Sequence, residues 1–143
     1  MARISIILAS AILLFFGLLH LQGTFFSTDL HPENIDLVEK LKSSSIQMTK
    51  AGNIWKLWIG FNAMFSVGLI FIGSINLYLS AKHFQLLISQ RFILLLTILS
   101  NAFFVWVGYQ YMITGFIISM SIPLLLFVTG FTLIQFKQSK HYA

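Results

Sequence analysis

Charge and cysteine are the two things that this sequence lacks most. Only 9% of its 143 residues are charged, while 57% are hydrophobic; an average soluble domain has about 25% charged residues. Because so few charges cannot cover a core of this size in water, the composition predicts an integral membrane protein. The absence of cysteine excludes structural disulfides, thiolate metal sites and Cys-x-x-Cys redox chemistry.

Negative charge is scarce and confined to one part of the chain. The four acidic residues all fall between positions 29 and 39, and the formal net charge is +5. The basic residues are scattered at the ends of apolar runs instead of being clustered with aromatic residues, which is typical of membrane-edge anchors. The sequence therefore predicts membrane lipids as partners, and no nucleic acid.

Four apolar runs approach or exceed the roughly 20 residues that cross a bilayer. They predict an all-α fold, a four-helix transmembrane bundle that forms a single domain over residues 1–143. The predicted spans are residues 4–21, 55–79, 88–109 and 113–136. The first run also has the character of a secretory signal peptide. Because the HLQGTFF that follows contains no small-x-small cleavage site, we expect this helix to be retained.

The polar connection between the first two spans, residues 22–53, holds all the acidic residues. Its stretch HPENIDLVEKLKSSSIQM predicts a short helix, since Pro32 suits a first turn. Acidic residues precede Lys40 and Lys42, an order that complements the helix dipole. Its apolar residues would form one side of that helix, and they are Ile35, Val38, Leu41, Ile46 and Met48. We expect this extracytoplasmic segment to lie on the membrane surface or on the bundle.

The basic residues near the helix ends predict the orientation in the membrane. One side carries basic residues without any acid, and these are Arg3, Lys82, Arg91, Lys137 and Lys140. The other side carries four lysines that are offset by the four acids. This bias predicts cytoplasmic N and C termini, with residues 22–53 on the outside, and we expect the membrane to be a bacterial inner membrane.

An amide, Asn62, stands inside the apolar stretch WKLWIGFNAMFS. At 100° per residue it falls on one stripe of the second span, which we call the polar stripe: Asn62, Ser66, Leu69, Gly73, Asn76 and Ser80. The third span aligns Thr97, Asn101, Phe104 and Gly108 in the same way. Because lipid cannot satisfy an amide, these faces must meet protein or a wet cavity. Two interpretations stay open, namely helix packing through small and polar residues and a ligand pocket.

His20 lies about one turn from the outer end of the first span, in GLLHLQG. One interpretation is an interfacial histidine that is hydrogen-bonded to a helix backbone or to the outer segment. The other is functional, as a metal or haem ligand, a proton carrier or a headgroup contact. A zinc site needs more partners, which on this side are His31 and the acids alone. We therefore predict no metal site, and the sequence does not identify a cofactor.

Two motifs resemble an uncharacterised family of small bacterial four-helix integral membrane proteins. The matching residues are Gly17, His20 and Leu21 in the first span and Trp55, Trp58, Gly60, Phe61, Asn62, Ser66 and Gly68 in the second. The chain departs from the family pattern at Met64 and Phe65, where the family has Ser-His. The resemblance implies the four-helix fold, and it implies that His20 and Asn62 form a paired feature near the outer leaflet.

These observations lead to two functional hypotheses. The first is a protein without enzymatic activity that binds an apolar ligand of the lipid or quinone type, or that serves as a subunit of a larger membrane complex. The ligand pocket would be formed by His20, Trp58, Asn62, Ser66 and Asn101. The alternative is a membrane enzyme that acts on a lipid headgroup at the outer surface. There His20 would be the general base or a metal ligand, helped by Asn62 and an acid of the outer segment.

Overall fold

The computed structural model describes residues 1–139, so that Lys140 of the predicted basic side lies outside the described residues. About 84% of the described residues are helical, which confirms the all-α class. The elements in chain order are α1 (Ala2–Phe26), α2 (Ile35–Ser43), β1 (Ser45–Ile46), β2 (Thr49–Asn53), α3 (Ile54–Lys82), α4 (Phe84–Ser89), α5 (Arg91–Tyr111) and α6 (Thr114–Ser139).

Among the described residues, four helices are long and apolar enough to cross a membrane, namely α1, α3, α5 and α6. They correspond one to one to the four predicted spans, and the ends of the helices differ from the ends of those spans by a few residues. The first helix continues to Phe26, and the second extends from Ile54 to Lys82. The reason is that an apolar run indicates only the part of a helix that can face lipid, whereas backbone hydrogen bonds allow the helix to continue through polar residues.

The short helix predicted in the connection of residues 22–53 exists as α2, but it is shorter than expected. It begins after Asn34, whose side chain accepts hydrogen bonds from the backbone N–H groups of Asp36 and Leu37. Asn34 is therefore the N-cap, and the prediction that Pro32 lies in the first turn was wrong. The charge order is confirmed, because Asp36 lies in the first turn and Lys40 and Lys42 lie in the last.

A β-hairpin replaces the predicted C-terminal part of that helix. The backbone of Ser44 is extended, and its hydroxyl donates to the carbonyl of Lys40, so the serine run ends the helix. Antiparallel pairing then aligns Ser45 with Asn53 and Ile46 with Thr49, with an irregularity between Ser45 and Ile46. Ile46 therefore does not extend the apolar side of the helix, and neither does Met48 in the turn of the hairpin.

The chain forms two compact units, which we describe separately. The larger unit consists of Met1–Phe15 and the described residues from Ile70 onward, and the smaller unit is Phe16–Leu69. The prediction of one transmembrane domain over residues 1–143 stays a prediction.

Close helix contacts hold the larger unit together. The α1 segment of this unit packs against α3 at Gly73, where an added Cβ would lie 2.8 Å from the Ser10 carbonyl oxygen. It packs against α6 at Gly130, where an added Cβ would lie 2.6 Å from Ile6 Cγ1. The hydroxyl of Ser5 also donates to the Leu126 carbonyl at 2.7 Å. Small residues at these positions let the helices approach each other closely, as in other membrane helices. The buried apolar side chains of this unit include Ile6, Leu13, Leu79, Leu94, Met120, Phe127 and Ile134.

The polar stripe of α3 faces inward, as predicted. Its buried members are Ser66, Leu69, Gly73, Asn76 and Ser80, and Asn62 is half-buried. On α5 the buried members of the predicted face are Thr97, Asn101 and Gly108, whereas Phe104 is half-buried. The amides and hydroxyls of these two faces therefore contact protein, as the helical projection requires.

Candidate functional site

The smaller unit brings His20 of α1 against Asn62 of α3. The two side chains are 42 residues apart in sequence, and the His20 Nε2 to Asn62 Oδ1 distance is 3.0 Å. Both residues are half-buried, so that the pair is neither sealed inside the unit nor fully exposed. The structure therefore brings together one residue from each of the two motifs.

The backbone of α3 fixes the orientation of the Asn62 amide. Its Nδ2 donates to the carbonyl of Trp58, one turn earlier, at 2.8 Å. The amide oxygen is therefore the atom that faces His20, and an amide oxygen can only accept. It follows that Nε2 of His20 carries the proton and donates to Asn62. In the neutral imidazole, Nδ1 is then left with its lone pair as an acceptor.

An aromatic contact and a backbone bond complete the surroundings of His20. Phe65 packs against the imidazole in a T-shaped arrangement, with ring centroids 5.3 Å apart and an interplanar angle of 87°. The hydroxyl of Thr24 donates to the carbonyl of His20 at 2.7 Å. Phe65 is one of the two positions at which the chain departs from the family pattern. Asn62 and Phe65 therefore both contact the imidazole, one by a hydrogen bond and the other by ring packing.

Trp58 and Ser66 were also predicted to line the pocket, and the two residues have different structural roles. The carbonyl of Trp58 orients Asn62, and the Trp58 side chain is 45% exposed. Ser66 is fully buried, and its hydroxyl donates to the Asn62 carbonyl at 2.8 Å. Because that bond satisfies the hydroxyl within its own helix, Ser66 acts as a small packing residue beneath the pair. The apolar surface beside Trp58 includes Phe61, which is 65% exposed.

Asn101, the fifth predicted pocket residue, belongs to the larger unit. There Asn76 Nδ2 donates to the Thr97 hydroxyl at 3.0 Å and to the Ile72 carbonyl at 2.9 Å. Asn101 is 1% exposed, and neither atom of its amide has a hydrogen-bond partner among residues 1–139. The structure therefore places four predicted residues in the smaller unit and assigns the fifth to a separate buried cluster.

Sequence reasoning missed a second aromatic contact of the smaller unit. The imidazole of His31 packs against the Trp55 indole with ring centroids 4.7 Å apart, and Lys42 Nζ lies 6.0 Å from the centroid of the same indole. These residues lie before α2, in α2 and at the start of α3, so no single helical period relates them. The contacts hold the connection between α1 and α3 against the beginning of α3.

No metal-binding group is evident in the part of the chain that the structure describes. Within residues 1–139, no set of three His, Asp or Glu side chains lies close enough together to hold a metal ion. The Asn62 contact itself gives His20 one ring nitrogen that donates and one that can accept a hydrogen bond.

Comparisons of the chain with models of known protein families, with curated proteins and with solved structures found no match. The resemblance drawn from the two motifs stays a prediction, and the candidate function rests on the geometry of the site.

Proposed function

We propose that this chain is a small integral membrane protein that binds an apolar ligand with a polar head, of the lipid or quinone type, at His20 and Asn62. The observation that carries the proposal is the 3.0 Å hydrogen bond between their side chains. This bond fixes Nε2 as the ring nitrogen of His20 that carries the proton. It leaves Nδ1 without a hydrogen-bond partner among the described residues, in a half-buried, apolar setting. A few oriented polar groups on an apolar surface are the usual design of a ligand site.

The free Nδ1 of His20 defines the chemistry of the polar head. As an acceptor it favours a hydroxyl or an N–H group, such as the hydroxyl of a quinol, a glycerol-type headgroup or an ethanolamine. A bare carbonyl or phosphodiester oxygen has no proton to donate to this nitrogen, so that a ligand of the quinone type would bind here as its reduced quinol. The exposed aromatic side chains of Trp58 and Phe61 offer the apolar surface for the remainder of the ligand.

The membrane arrangement that we propose is a four-helix bundle in a bacterial inner membrane, with cytoplasmic termini and residues 22–53 outside. Its support is the charge distribution: the four acids lie within residues 22–53, the connection from α3 to α5 carries Lys82 and Arg91 without an acid, and the connection from α5 to α6 is uncharged. His20 and Asn62 lie six residues from the end of α1 and eight residues from the start of α3, so this arrangement places the site in the outer leaflet.

Membership in a larger membrane complex is a second form of the same proposal. Many large apolar side chains of the four long helices are exposed, among them Phe15, Phe71, Phe92, Leu99 and Leu125. In a bilayer such surfaces contact either acyl chains or the helices of other proteins. A stable protein partner would then cover part of the surface that lipid otherwise covers.

The alternative function, an enzyme acting on a lipid headgroup, draws on the same histidine. A general base needs a free ring nitrogen and a group that orients the ring, and Nδ1 and Asn62 supply these. The test is headgroup release from vesicles of labelled phosphatidylethanolamine or phosphatidylglycerol by the purified chain. Release that is abolished by His20→Gln would support the enzyme, and no release above that of protein-free vesicles would exclude it for these lipids.

Ligand binding is tested by extracting the wild-type chain from membranes in polymer nanodiscs and analysing the bound molecules by native mass spectrometry. We expect a retained lipid or quinone whose occupancy falls at least about tenfold in His20→Gln and Asn62→Ala. The reason is that losing one partner of a buried polar contact costs about 1–3 kcal/mol, and about 1.4 kcal/mol is a factor of ten.

The matched control is His31→Gln, a second histidine of the smaller unit that contacts Trp55 and not the proposed site. It should retain the ligand at the wild-type level. A wild-type chain that carries neither ligand nor protein partner would contradict the proposal, as would equal occupancy in all the variants.

A further inference from the structure

The positive charge of the larger unit has no counter-charge within that unit. All four acidic residues fall between positions 29 and 39, in the smaller unit, so the larger unit contains no carboxylate side chain. Its described basic residues are Arg3, Lys82, Arg91 and Lys137. Among residues 1–139 the ion pair that forms is Lys42 with Glu39, in the smaller unit.

Three of these basic residues line two adjoining depressions where α1 begins and α3 ends. The first has a volume of about 400 Å³ and is lined by Arg3, Lys82, His83, Phe84, Gln85 and Leu86. The second has a volume of about 190 Å³ and shares Arg3 and Phe84 with the first. Its other lining residues are Met1, Ala2, Ile88, Leu133, Ile134 and Lys137. A basic, polar hollow thus adjoins a groove that is mostly apolar.

Arg3 is held in place at the junction of the two depressions. Its Nε donates to the Ser80 carbonyl at 2.8 Å, and its Nη2 donates to the Ala81 carbonyl at 2.6 Å. These carbonyls belong to the last turn of α3, where cations are favoured by the helix dipole. The Nη1 group has no hydrogen-bond partner among the described residues and is free to donate to a further acceptor.

We propose that the two depressions together bind one anionic phospholipid, with its phosphate in the basic hollow and the start of an acyl chain along the apolar groove. The guanidinium of Arg3 and the ammonium of Lys82 supply charge-assisted donors to the phosphate. Leu133 and Ile134 supply apolar contact for the chain. Basic pockets between membrane helices are known to hold anionic headgroups. A free phosphate ion would leave the apolar groove unused.

The test compares the affinity of the full chain for phosphatidylglycerol with its affinity for phosphatidylcholine, by titrating each fluorescent lipid into detergent-solubilised protein. The variant Lys82→Gln/Lys137→Gln removes two exposed lysines and leaves Arg3 in place. We expect affinity for phosphatidylglycerol to fall about fivefold for each lysine removed, which corresponds to about 1 kcal/mol per basic residue at an anionic surface. Affinity for phosphatidylcholine, whose choline cation offsets the charge of its phosphate, should fall by less.

The control variant is Lys50→Gln/Lys56→Gln, which removes the same charge from the smaller unit and should keep wild-type affinity for phosphatidylglycerol. Equal losses in both double variants would overturn the proposal, because they would mean adsorption governed by net charge. Displacement of the lipid by millimolar inorganic phosphate would also overturn it, since the apolar groove would then contribute nothing. Circular dichroism checks that both double variants are folded. Failure at His20 would not affect this result, because the lysine variants leave that site intact.

Discussion

At the scale of single residues, Asn62 illustrates what a sequence can and cannot predict. Helical projection shows that its amide must face protein, and the structure confirms this for the stripe as a whole. Projection cannot identify the partner, because His20 is 42 residues away on another helix. Helical spacing in the sequence also could not predict the contact of Phe65 with the imidazole, because this contact depends on how two helices cross and on the rotamers of both side chains.

For Asn101, helical projection predicted the correct buried face of α5, whereas its predicted role in a ligand pocket stays a prediction. It is as buried as Asn76, but Asn76 donates two hydrogen bonds and Asn101 makes none among the described residues. The burial of an amide and its hydrogen bonding are therefore separate properties. The spacing of residues in the sequence indicates which amides are buried, whereas their hydrogen bonds depend on which group the neighbouring helix presents.

This difference predicts opposite outcomes for two matched substitutions. Asn76→Leu removes the hydrogen bond to Thr97 and should lower the free energy of unfolding by about 0.6 kcal/mol, the average for such bonds between membrane helices. Asn101→Leu removes an amide whose burial is uncompensated, so the free energy of unfolding should stay the same or rise. Titration of the purified protein from mild detergent into dodecyl sulfate, followed by circular dichroism, measures both.

Thr97→Val is the control for this pair of variants, because it removes the same hydrogen bond from the other side. Its effect should not add to that of Asn76→Leu in the double variant. A loss of stability in Asn101→Leu larger than that in Asn76→Leu would show that the Asn101 amide has a partner of its own, and the prediction would fail.

At the scale of helices, the contact of α1 with α3 depends on Gly73. A Cβ at this position would lie 2.7 Å from the Leu14 backbone nitrogen and 2.8 Å from the Ser10 carbonyl oxygen. Because both atoms belong to the backbone of α1, the helices themselves would have to separate. We expect Gly73→Ala to lower the free energy of unfolding by about 1–3 kcal/mol, as overpacking does in other cores.

Gly68→Ala is the matched control on the same helix. Nothing lies within 4 Å of a Cβ added there, so alanine should leave stability unchanged or raise it through its better helix propensity. The same detergent titration compares the two variants. Equal stability in Gly73→Ala and Gly68→Ala would mean that α1 and α3 are not packed closely at Gly73.

The sequence predicted the number and kind of the long helices but not the β-hairpin. Apolar length is sufficient to identify a membrane span, because the bilayer thickness sets it. No comparable physical length identifies a β-hairpin in the sequence. Its signal was the serine run from Ser43 to Ser45, whose side chains compete with helical hydrogen bonds, and helical spacing of Ile46 and Met48 outweighed it in the prediction.

At the scale of the whole molecule, the separation of charge predicts the orientation in the membrane. The chain has no cysteine, so single cysteines can be introduced without a background signal. Met48→Cys in the exposed hairpin turn should react with a membrane-impermeant maleimide added to intact spheroplasts, and exposed Ser89→Cys should react only after lysis. The physical reason is that basic connections are retained in the cytoplasm.

Ala9→Cys, at a fully buried position, provides the negative control and should react only after denaturation. Labelling of Ser89→Cys in intact spheroplasts with protection of Met48→Cys would reverse the orientation. Labelling of both without lysis would argue against any fixed orientation.

The central claim is that a ligand with a polar head meets the free nitrogen of His20. Nitrogen-15 NMR of the histidine-labelled chain in native nanodiscs tests it most directly, with His20→Gln assigning the signals. We predict a protonated Nε2, an unprotonated Nδ1, and a shift of the Nδ1 resonance when bound lipids and quinones are exchanged for a synthetic phosphatidylcholine. A proton on Nδ1 with a bare Nε2, or ring signals that do not respond to the exchange, would contradict the account.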